Sequence, residues 1–206
     1  MFGARASTLD RGLDAFEQRN WRQARRLLED ALKHEERAVA SYHVGLLYWR
    51  GLGGPVDKKA AADHFARAAR NAHPGAQTAY GVALRSGVGV AKDDEAARAQ
   101  FRAAAGAGDC DAMVQLAAMS GPDEHRHWLR RASELGHAKA MRHYADALMH
   151  ENAEEALAWL YAATALSGDD AARGRAMALA REMDAREIAM AQKRGRAILK
   201  RIKEAG

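Results

Sequence analysis

Between residues 42 and 49 the apolar positions follow two helical stripes at once: Tyr42, Leu46 and Trp49 on one, Val44, Leu47 and Tyr48 on another. A helix apolar on both sides packs between neighbours instead of lying on a core from outside. The segment Gly51-Leu52-Gly53-Gly54-Pro55-Val56-Asp57 then interrupts the pattern. Its glycines permit the positive φ angles wanted past a helix C-terminus, and Asp57 is placed to cap the helix that follows. That helix presents Ala61, Phe65 and Ala68 at i, i+4 and i+7. The whole succession returns 36 residues later: Gly45–Gly53 as Gly81–Gly89, Ala40 as Ala76, Asp57 as Asp93, Ala60 as Ala96, Phe65 as Phe101, and Ala68-Ala69 as Ala104-Ala105. Self-similarity at this period predicts a stack of two-helix units sharing one continuous core. Gly45 and Gly81 fall in mid-helix, where Gly costs about 1 kcal/mol relative to Ala. That is tolerable where a partner helix packs on bare backbone, and the equivalent positions Ala117 and Ala145 are also small. The phenylalanines are expected to wedge between units.

Later units are shorter. Aligning Ala40, Ala76, Ala112, Ala140 and Ala171 gives spacings of 36, 36, 28 and 31 residues, with the loop reduced to Gly121-Pro122-Asp123 and then lost near Glu151-Asn152. The second helices persist in Trp128-Leu129 with Ala132 and in Trp159-Leu160 with Ala163, and a tighter hairpin runs upstream from Asp14 to Leu32. The predicted organisation is one repeat domain over 1–206, with units 8–37, 40–75, 76–111, 112–139 and 140–170 and a helical cap over 171–206. In the cap, helices are expected over 171–183 and 184–204, the second burying a stripe of Ile188, Gly195, Ile198, Leu199 and Ile202.

The order small-x-x-Leu-Gly-x-x-Tyr-x-x-Gly-x-Gly-Val-x-x-Asp-x-x-Lys-Ala, then an aromatic and Ala-Ala, resembles the Sel1-like repeat, a long-loop relative of the tetratricopeptide repeat. Units 40–75 and 76–111 match best, and the N-terminal hairpin is closer to a plain tetratricopeptide unit. The resemblance implies an all-α fold: a right-handed α/α superhelical solenoid of helix-turn-helix repeats with a C-terminal capping helix. It also implies that first helices line a concave face, and that the chain assembles protein complexes instead of catalysing reactions.

Composition agrees with the helical reading, since 49 of 206 residues are Ala and only 3 are Pro. Ala loses no side-chain entropy on entering a helix. Cys110 is alone, so no intrachain disulfide and no cysteine metal cluster can form. No run of apolar residues suggests a membrane span or, within Met1–Asp10, a signal peptide, so a cytoplasmic setting is expected. The net charge of +5 is unevenly spread: residues 39–106 carry 9 basic and 5 acidic side chains, residues 107–169 carry 5 and 10, and residues 170–206 carry 10 and 5.

Candidate chemistry is thin. The glycine loops lack the Lys-Ser/Thr of a phosphate-binding loop and follow helices, not strands. His125 and His127 point to different faces of a helix, while His143 and His150 lie about two turns apart, so no metal is expected and the histidines read as exposed or capping. No Ser sits in a nucleophile elbow. The carboxylate pairs Glu154-Glu155 and Asp169-Asp170 stand at helix starts, where the macrodipole favours them. The chain is therefore read as a non-enzymatic adaptor with no cofactor, monomeric or in a heteromeric complex. Its protein or peptide partner is expected on a concave face of Tyr42, His43, Leu46, Trp49, Arg50, Thr78, Val82, Arg85, Gln115, Arg142, His143, Asp146, Met149 and His150. Aromatic and Arg side chains make good interface anchors. One alternative is a dedicated inhibitor or immunity protein of a cognate toxin or enzyme. A second is association with nucleic acid through the basic tail residues Lys193, Arg194, Arg196, Lys200, Arg201 and Lys203; interspersed acidic residues argue against it.

Overall fold

A computed structural model describes residues 6–34 and 38–205. The leader reading of residues 1–10 and the end of the first hairpin at 37 lie partly outside them. Among the described residues there are helices and no strands, and no helix is long and apolar enough to cross a membrane. The chain divides into two compact units, Met1–Asp109 and Cys110–Gly206.

The first unit holds three hairpins: α1 (Thr8–Glu17) with α2 (Trp21–His34), α3 (Ala38–Arg50) with α4 (Lys58–Arg70), and α5 (Pro74–Ser86) with α6 (Asp94–Gly106). Each helix also packs on the next one along the chain, so the hairpins stack. The expected caps are present. Asp57 and Asp93 each accept a backbone N–H, from Ala60 and Ala96, at 2.9 Å. Ser7 and Asp10 form a reciprocal capping box at α1.

Mid-helix glycines do what their positions suggested. A Cβ on Gly45 would lie 2.6 Å from the Phe65 ring, and one on Gly81 would lie 2.7 Å from Phe101. Gly12 stands in the same relation to Leu28, at 2.9 Å. Each bulky side chain thus fills the notch of its own hairpin. The phenylalanines, expected as wedges between units, are intra-hairpin plugs because only the facing glycine leaves room for a ring. The loop glycines serve a different contact. Gly53, at φ 74°, would place a Cβ 2.4 Å from the Trp21 carbonyl oxygen, and Gly89, at φ 78°, would place one 2.0 Å from that of Lys58. Each loop therefore presses on the start of the preceding hairpin's second helix, and only Gly combines that φ with that approach.

The second unit comprises α7 (Cys110–Ala117), α8 (Pro122–Glu134), α9 (Ala138–Leu148), α10 (Ala153–Ser167), α11 (Asp170–Ala180) and α12 (Ala185–Ala205). Ala117, Leu129, Ala145, Leu157, Trp159 and Leu160 belong to one buried core. The helix α11 stops three residues before its expected end because Asp184 and Glu187 start α12 with a capping box. Asp184 accepts the N–H of Arg186 and Glu187 at 2.8 Å, and Glu187 accepts that of Asp184 at 2.8 Å. Unlike the other second helices, α12 packs along α10 and not against its chain neighbour α11. Gly195 makes this possible, since its Cβ would lie 2.9 Å from the Ala158 carbonyl oxygen. The stripe of Ile188, Ile198, Leu199 and Ile202 joins the core as expected of a cap.

Candidate functional site

In the first unit, half-buried rings from α1, the start of α2, α3 and the cap of α5 form a ladder. Trp21 meets Phe16 edge-on with centroids 5.3 Å apart, Phe16 meets His43 at 4.9 Å, His43 meets Tyr42 at 5.3 Å, and Tyr42 stacks on His73 at 4.6 Å. Tyr42 and His43 therefore join neighbouring hairpins. His73 also caps α5, its Nδ1 accepting the Ala76 N–H at 3.2 Å. Burial, and next the nearby His43, hold the His73 pKa below its ordinary value. Trp49 lies 6.0 Å from Phe65, with the Lys58 ammonium 4.1 Å above its ring. Lys58 also donates to the Trp49 carbonyl. Leu46, Thr78 and Val82 are half-buried, the Thr78 hydroxyl being enclosed without a hydrogen-bond partner among the described residues. Arg50 is exposed and Arg85 half-exposed. Sequence reasoning missed a polar joint on α2, α3 and α4. Glu29 accepts from Arg25 and from the Tyr48 hydroxyl, both at 3.0 Å, while the Arg25 guanidinium covers the Tyr48 ring at 3.9 Å. His64 stacks on the same Tyr48, and burial, followed by the Arg67 charge, lowers its pKa.

In the second unit, Arg142 is committed within the chain. Its guanidinium donates to both oxygens of Asp169, at 3.3 and 3.2 Å, with each side chain only about a fifth exposed. Asp169 meanwhile caps α11 through the N–H groups of Ala171 and Ala172 at 2.9 and 3.2 Å. Asp146 pairs with Arg175 at 2.9 Å and faces His143 at 4.0 Å. Burial and then the Arg142 charge depress the His143 pKa. Gln115 is half-buried on α7.

Three of the expected residues do come together. Asp146, Met149 and His150 line a groove of about 690 Å³ with Ala153, Arg175, Ala178, Leu179, Glu182, Met183 and Glu187. One wall is the end of α9 and the other is α11 with the turn into α12. The sequence reading of residues 171–206 as a cap with a basic tail does not include this second wall. A signal was present, because Arg175, Leu179 and Glu182 fall at i, i+4 and i+7. Of the basic tail, Lys193, Arg194, Arg196, Lys200, Arg201 and Lys203 are all exposed. Arg194 lies 3.4 Å from Glu154, and Lys200 lies 3.8 Å from Glu204.

No protein-family model matches the chain, and no curated protein matches it. Solved structures do. A Sel1 repeat protein from Oxalobacter formigenes is similar over 94% of this chain and 83% of its own, with a TM-score of 0.75 and 22% identity. A protective antigen of uropathogenic Escherichia coli strains, displaying an SLR fold, is similar over 94% of this chain and 54% of its own, with a TM-score of 0.60 and 16% identity. Stacked hairpins with glycine notches, glycine loops ending in Asp caps, and this agreement in fold together make the chain a helical-repeat protein with the Sel1-like repeat fold.

Proposed function

We propose that this chain is a non-catalytic scaffold that holds a protein or peptide segment against its first-helix surfaces, with the groove between α9 and α11 as the principal seat. The observation that carries this reading is the meeting of Asp146, Met149 and His150 with Arg175, Leu179 and Met183 around one open groove. Its size falls within the range of ligand sites, and methionines adapt to varied apolar surfaces. The fold it shares with Sel1-repeat structures supports the same reading. The shifted groups His64, His73 and His143 are buried in packing contacts, which accounts for their shifts without a catalytic role. Stacked hairpins are already ordered, so binding would order mainly the ligand.

Photo-crosslinking tests this directly. With a photoreactive amino acid at position 149 or 183, irradiation in cells should give discrete protein adducts that disappear when Ala178→Arg, at an exposed lining position, fills the groove. The same probe at position 201 should give none of those adducts. Adducts that survive Ala178→Arg, or arise equally from position 201, would remove the groove from consideration.

A further inference from the structure

The groove is chemically two-sided. Its floor is apolar, built from Met149, Ala153, Ala178, Leu179 and Met183. Its charged lining is three carboxylates, Asp146, Glu182 and Glu187, against a single guanidinium, Arg175. Arg175 is already satisfied, since it pairs with Asp146 at 2.9 Å. Glu187 accepts the Asp184 N–H at 2.8 Å through one oxygen. Glu182 and Glu187 are both exposed, and among the described residues neither pairs with a Lys or Arg side chain. The charged lining is therefore net negative, beside apolar lining residues that include two methionines.

Resting on the groove reading above, we infer that the occupant is a cationic amphipathic segment of a partner protein. It places Leu- or Met-type side chains on Met149, Leu179 and Met183 while Lys or Arg side chains reach Glu182 and Glu187. An acidic or uncharged segment would leave these carboxylates unanswered, and an acidic one would add like-charge repulsion, which discriminates strongly between partners. His150, exposed at the α9 end, also lines the groove.

The test uses the full chain and two short fluorescein-labelled peptides. One is composed of Leu, Ala and Lys, and its counterpart carries Glu for every Lys. Binding is followed by fluorescence anisotropy, and the contact is located by methyl NMR of methionine-labelled protein. The Lys peptide should bind about tenfold more tightly than the Glu peptide, two exposed charges each contributing a few-fold. Its affinity should fall with added salt, and the Met149 and Met183 methyl signals should move. Glu182→Lys with Glu187→Gln, the glutamine keeping an oxygen for the Asp184 N–H, should abolish the preference. Equal binding of both peptides with those methyl signals shifted, or a preference untouched by the double variant, overturns the charge assignment and leaves the groove standing. Failure of both peptides to move the Met149 and Met183 signals overturns the groove reading itself.

Discussion

His73 carries two duties, and the first depends on its being uncharged. Its Nδ1 accepts the Ala76 N–H at 3.2 Å, and its ring stacks on Tyr42. A protonated imidazole is a donor at both nitrogens, so acid removes the cap. His64 and His143 are likewise held below the ordinary value of 6.5. Groups with depressed histidine pKa values bind fewer protons folded than unfolded, so stability is complete above pH 6.5 and declines as pH falls from there toward the folded pKa values. Thermal melts between about pH 7 and pH 5 should show Tm falling with acid. His73→Asn keeps a good capping acceptor that does not titrate, and should flatten part of that slope. A slope identical to the parent's would mean that His73 contributes nothing to it.

Among the helices, α9 and α11 are joined by charge. Arg142 and Asp169 are each about a fifth exposed, so losing Arg142 should cost about 1.5–3 kcal/mol, as for hydrogen bonds to charged groups. Asp169→Ala also removes the α11 cap and should cost roughly 1 kcal/mol more. Urea denaturation of both single variants and the double variant measures the coupling; an Asp169→Ala loss no larger than that of Arg142→Ala would exclude the capping share. The helices themselves were legible from sequence because Ala-rich 3.6 periodicity, Gly notches and Asp caps all pointed the same way. Partner choice between helices was less legible. Nothing local to Phe65 told whether it would fill its own hairpin or the next, and that was decided by Gly45 opposite. Arg142 was read as an anchor for a partner because its own partner, Asp169, lies 27 residues away. The groove was half legible: Asp146, Met149 and His150 were picked out, but the wall supplied by α11 came from a segment read as a cap.

At the scale of the molecule, hairpin stacking makes cohesion a sum of neighbour contacts. The core of Leu28, Val44 and Leu47 belongs to the first unit, and that of Leu129, Leu157 and Trp159 to the second. Emptying the notch with Phe65→Ala should cost about 3–5 kcal/mol locally. Hydrogen exchange should then accelerate in α3, α4 and α5 while amides of α10 and α12 keep their protection. Uniform acceleration throughout would show that the chain opens as one body.

The tightness at Gly53 and Gly89 gives the first unit a gauge. Where a loop meets the preceding helix, the gap admits a hydrogen atom and no carbon, so the distance from one module to the next is metered by bare backbone and cannot drift as side chains vary. A Cβ on Gly121, in the shortened loop, would meet nothing within 4 Å. In the second unit α9 and α11 are joined instead by the Arg142–Asp169 and Asp146–Arg175 pairs, so evolution could retune their spacing by exchanging ionic side chains while the earlier modules stay locked to a single pitch.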